Sequence, residues 1–107
     1  MTDTWLAIET TDDGEILHGI SLDLAELETR VLTLITAQVI EENESEEEQE
    51  RITDLVEAHI SRIGMDDENA RARLSHGASV RVIGAERTNA IYRKIQKRFA
   101  RVAFSVT

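Results

Sequence analysis

From Leu24 to Ile40, eight aliphatic residues recur at helical spacing. Leu24, Leu27, Val31, Leu34, Ile35 and Val39 form a stripe, which Leu32 and Ile40 widen. Asp23 followed by Glu26 resembles a capping box, so the spacing predicts a first helix over residues 23–41. A helix this apolar must bury most of its surface, against a sheet or a second subunit. No proline occurs anywhere in the 107 residues, so nothing interrupts long helices. Aromatic residues make up only 4 %, against 41 % hydrophobic overall, so the core is aliphatic.

The flanking segments supply the sheet. Residues 4–9 and 15–20 are short apolar runs on either side of Asp13-Gly14, a strong hairpin signal, with Trp5 on the buried face. Ser45 and Glu48 form a second capping box, opening a helix over 46–63. That helix buries Ile52, Leu55, Val56, His59, Ile60 and Ile63 and ends at Gly64. Asp66 or Asp67 caps a short third helix through Leu74, closed by Gly77. Val80-Arg81-Val82-Ile83 then reads as a strand, and Gly84 opens a helix over 86–99. Residues 101–106 alternate as a final strand, with Val102, Phe104 and Val106 on one face. The expected fold is a single α+β domain over residues 1–107, a small four-stranded sheet with helices packed on one face. Its order is β-β-α-α-(α)-β-α-β.

Charge is segregated along this chain. Residues 1–70 hold 20 of the 21 acids and three bases; residues 71–107 hold one acid and nine bases, for a formal net charge of −9. Seven of the ten residues at 41–50 are acidic. Like charges at i, i+4 oppose helix formation, so the middle of that run is an exposed connection. Such an asymmetry points to charged partners, or to one half of the chain screening the other.

Two surfaces follow. Glu41, Glu42, Glu44, Glu46, Glu47, Glu48, Asp66 and Asp67 can imitate a phosphate backbone and occupy a basic groove on a partner. On the last helix, Thr88, Ile91, Tyr92, Ile95 and Phe99 fall on one side, and Arg87, Arg93, Lys94, Lys97 and Arg98 on the other. With Arg101 these cations form an alternative nucleic-acid surface, without the aromatic interleaving that base stacking needs.

Other chemistries lack their residues. There is no Cys, hence no disulfide and no thiolate site. The acidic run has neither the Asp nor the Gly of a calcium loop. His18, His59 and His76 have no ligand partners at metal-site spacing, and no nucleophile elbow is present. Neither cofactor nor metal is expected, and no enzymatic role. Met1–Glu9 has no basic start followed by an apolar run, and no stretch suits a membrane helix, so a cytoplasmic protein is expected. The leading expectation is an acidic interaction protein that inhibits or modulates a basic, nucleic-acid-handling partner. Inhibitors of phages and mobile elements, such as anti-CRISPR and DNA-mimic proteins, share this size and acidity by analogy alone. The alternatives are nucleic-acid binding by the basic helix, and a homo-oligomer, most simply a dimer, joined through the excess apolar width of the first helix.

Overall fold

The computed structural model describes residues 3–107. In chain order the elements are β1 (Trp5–Thr11), β2 (Gly14–Ser21), α1 (Leu24–Asn43), α2 (Glu46–Ile63), α3 (Glu68–Ile83), α4 (Ala85–Phe99) and β3 (Val102–Val106). The chain gathers into two compact units. One is the chain up to Val39 with Arg93–Thr107; the other is Ile40–Tyr92. The dividing points fall within α1 and α4.

The first unit is built on an antiparallel sheet of order β2-β1-β3. Gly14, at φ 130°, makes the tight hairpin turn predicted from Asp13-Gly14. Ala7 pairs with Gly19 and with Phe104, placing all three on one face. A Cβ on Gly19 would come within 3.0 Å of Leu27 Cδ1, so the glycine lets α1 seat directly on β2. Arg30 Nη2 fastens that contact by donating to the Ile20 carbonyl at 3.1 Å. The rings of Phe99 and Phe104 meet at 5.9 Å. α1 and the end of α4 thus lie on one face of the sheet. On α1 the buried stripe is Leu27, Val31, Ile35 and Val39, spaced by fours. It is narrower than the sequence pattern, since Leu32 and Leu34 stay exposed.

The second unit centres on α2 and α3. Ile52, Val56 and Ile60 of α2 pack with Ala78 of α3, flanked by Leu55, Leu74 and Val82. Ser45 caps α2 through a complete capping box, and Gly64, at φ 69°, closes it in the left-handed conformation.

One expectation fails here. Residues 80–83 are not a strand, and among the described residues the sheet has three strands rather than four. The order is β-β-α-α-α-α-β, because α3 runs unbroken from Glu68 to Ile83. Leu74, Ala78 and Val82 stand at i, i+4, i+8 and face α2, and that burial outweighs the β preference of a four-residue Val/Ile run. Gly77 lies inside the helix instead of capping it. Gly84, at φ 88°, ends α3 with its N–H on the Val80 carbonyl at 2.9 Å.

Candidate partner-binding surfaces

The acidic run is folded into a tight corner. α1 continues through Asn43, so the connection shrinks to Glu44 and Ser45. The Ser45 hydroxyl accepts from the Glu48 amide at 3.2 Å, and Glu48 Oε1 accepts from the Ser45 amide at 3.3 Å. Glu48 Oε2 also takes Arg87 Nη1 at 3.0 Å, while Arg87 Nη2 donates to the Asn43 carbonyl at 3.2 Å. The Ser45 amide and hydroxyl, then Arg87, hold the Glu48 carboxyl below its ordinary value. Glu44 is buried at 7 % exposure, and its carbonyl accepts from Gln49 Nε2. Burial, then the neighbouring Glu48 charge, pushes its carboxyl up against the opposing pull of Arg87.

The remaining acids of the corner are different. Glu41, Glu42, Glu46 and Glu47 are exposed, and their carboxylates form no hydrogen bond or ion pair among the described residues. Glu46 and Glu47 lie in the first turn of α2, where the helix dipole favours negative charge. Asp66 and Asp67 are exposed but engaged. Asp66 pairs with Arg71 at 2.6 Å, and Arg71 also reaches Glu57 at 2.7 Å. Asp67 caps α3 by accepting from the Ala70 amide at 2.8 Å.

The basic residues of the chain's last third divide in the same way. Arg87 and Arg98 are held by the protein's own carboxylates, and Lys94 also has an internal interaction. Arg93, Lys97 and Arg101 are exposed and unpaired among the described residues. The basic face read from helical spacing is therefore broken at Arg98, which turns inward.

The residue that turns it is Glu9, which sequence reasoning missed. Glu9 Oε1 lies 2.7 Å from His18 Nε2 and 3.1 Å from Arg98 Nη2, which donates also to Gln38 Oε1 at 3.1 Å. The register shift after Ala7 makes His18 the extra residue of a bulge, and this turns its ring toward Glu9. Burial raises the Glu9 carboxyl, but hydrogen bonds and charge from Arg98 and His18 outweigh it, leaving it below its ordinary value. The Glu9 and His18 side chains are only 3 % and 4 % exposed, too little for a substrate to reach them. Their work is to join β1, β2 and α4. The signal was present, since Glu9 shares the inward face of its strand with Ala7, and an inward charge requires a partner.

Among the described residues no group of three or more His, Cys, Asp or Glu is placed to hold a metal ion. No helix among the described residues is long and apolar enough to cross a membrane. No family model, curated protein or solved structure matches this chain.

Proposed function

We propose that the chain is a non-enzymatic interaction protein whose α1–α2 corner binds a basic partner and inhibits or modulates it. A nucleic-acid-handling protein is the kind of partner this suits, in the manner of phage and mobile-element inhibitors. One observation carries the reading. Glu41, Glu42, Glu46 and Glu47 stand unpaired on a corner fixed by a capping box and by Arg87, so their charge is displayed on a preorganised frame. Preorganised carboxylates raise on-rates toward a cationic groove and displace the phosphates that groove would hold.

The test uses the wild-type protein and a variant with Glu41, Glu42, Glu46 and Glu47 changed to Lys, as bait in source-cell extract. Glu44 and Glu48 are left intact because they belong to the fold. The expected result is a partner retained by the wild type, released by duplex DNA and lost from the variant. A partner held equally by both proteins overturns the reading.

A second reading has its own support. Leu17 and Ile20 of β2 are 55 % and 52 % exposed, on the sheet face opposite Ala7, beside Ile8 and Leu6. Such a face suits a homodimer. Light scattering at high protein concentration distinguishes the two: a monomer mass removes the dimer. Nucleic-acid binding by α4 and Arg101 has less support, since Arg93, Lys97 and Arg101 alone of the six proposed cations stay unpaired.

A further inference from the structure

The charges along α2 and α3 are not all directed at each other. Arg51 and Arg62 on α2, and Arg73 and Arg81 on α3, make no hydrogen bond or ion pair through their side chains among the described residues. All four line two adjoining hollows between the helices, which share Leu55 and Arg81 and together form a groove. One, about 270 Å³, is lined by Arg62, Arg73 and Arg81; the other, about 360 Å³, by Arg81 and Arg51. The apolar lining of the first is Leu55, Ala58, Leu74, Gly77 and Ala78, of which Ala78 is buried. His59 adds a polar edge near one end, and Asp54 is an acid lining the other.

The placement of the arginines decides the class of ligand. Arg51, Leu55, Ala58 and Arg62 stand at i, i+4, i+7, i+11 on α2, and Arg73, Gly77 and Arg81 at i, i+4, i+8 on α3. Cations therefore mark both ends of a groove about 16 Å long, three helical turns. A single-headed amphiphile would call for charge at one end alone. A polynucleotide would gain nothing from an aliphatic floor without an aromatic platform. An acidic amphipathic helix satisfies both features: apolar side chains on the floor, carboxylates along both rims.

Gly77 is an independent pointer. A glycine inside a helix costs about 1 kcal/mol relative to alanine. A Cβ there would meet nothing within 4 Å, so internal packing does not demand its absence. Gly77 is exposed and lines the groove, so a partner backbone can approach closely there. We propose that the α2–α3 groove is a docking site for an acidic amphipathic helix of a partner protein, held by Arg51, Arg62, Arg73 and Arg81 over the Gly77 floor.

The probe is a fluorescein-labelled helical peptide of about 18 residues, roughly 27 Å long. Leu occupies every third and fourth position and Glu flanks them. A Lys-for-Glu version and a version with shuffled Leu positions serve as controls. Anisotropy at low salt is expected to show binding of the acidic peptide alone. Arg62→Glu with Arg73→Glu weakens it at least tenfold. Gly77→Leu, which fills the floor, abolishes it, with circular dichroism confirming the fold. Gly77→Ala keeps binding within about twofold and raises the melting temperature. The corner variant with Glu41, Glu42, Glu46 and Glu47 changed to Lys binds as well as the wild type, which separates this site from the acidic one. Equal binding of the Glu and Lys peptides, or affinity unchanged by the arginine reversals, overturns the proposal. So does tighter, arginine-dependent binding of single-stranded DNA, or a self-association lost in the same variants, since each gives the groove a different occupant.

Discussion

Arg98, in the first unit, donates to Glu9 and to Gln38, each at 3.1 Å. Arg73, in the second, lines the α2–α3 groove and bonds nothing among the described residues through its side chain. The same side chain is a structural bolt in one unit and a displayed cation in the other. The difference lies in what each faces. Glu9 is 2 % exposed and cannot be left alone, because an uncompensated buried carboxylate costs several kcal/mol. Nothing opposite Arg73 requires neutralising, so its charge remains available. Formal charge balance is therefore a poor guide to function in this chain; the useful quantity is charge left over after the fold has satisfied itself.

The sharpest way to break that contrast is to remove each arginine in turn. Arg98→Ala leaves the buried Glu9 with His18 alone and is expected to cost about 2–4 kcal/mol in urea unfolding, discounted because Arg98 keeps partial solvent access and His18 remains. Arg73→Ala is expected to change stability by less than about 0.5 kcal/mol. The loss in Arg98→Ala also depends on pH. The folded-state Glu9 carboxyl is held below its ordinary 4.5, so its stabilising contribution is complete above 4.5 and fades as pH falls through the lower, folded value. The gap between wild type and Arg98→Ala should therefore narrow in acid. Equal stabilities of Arg98→Ala and Arg73→Ala at neutral pH would erase the distinction.

How far this was legible in the residues follows from range. The β1–β2 hairpin announces itself in Asp13-Gly14, and both ends of α2 in Ser45, Glu48 and Gly64, because turns and caps are local chemistry. The strand expected at 80–83 failed because four residues carry too few periods to separate strand from helix. Arg98 and Glu9 are 89 residues apart, and Arg87 and Glu48 are 39 apart. Pairing at that range is decided by the fold. The acidic corner was legible as composition, but composition does not say that Glu44 is buried or that Glu48 is bound. Arg62, Arg73 and Arg81 drew no attention because residues 80–83 read as a strand, which separates Arg81 from Arg73, and only the packing of α2 on α3 brings them around one groove.

The corner itself holds a smaller version of the same contrast, between residues that shape it and residues it displays. Ser45→Ala removes the cap of α2 and is expected to cost about 1 kcal/mol. Glu46→Ala, one position later and unpaired, should cost at most a few tenths, through a weakened interaction with the helix dipole. Thermal unfolding of the two variants checks this. A loss in Glu46→Ala as large as in Ser45→Ala would mean that the displayed acids support the fold after all.

The smallest expected effect is a gain. Glu44 is buried beside Glu48, and burial together with that like charge holds its carboxyl above the ordinary 4.5 despite Arg87. A carboxyl raised on folding opposes the folded state once it ionises. Its penalty is absent below 4.5, grows as pH rises from there toward the folded value, and is complete above it. Glu44→Gln keeps the shape and removes the charge. It is expected to stabilise the protein at neutral pH by a few tenths to about 1 kcal/mol, and to bring no gain below pH 4.5. Thermal melts of both proteins across that range decide the matter. A constant gain at every pH would assign the effect to packing of the amide. A loss at neutral pH would show that the Glu44 carboxylate, like Glu48, is held by Arg87 strongly enough to serve the corner.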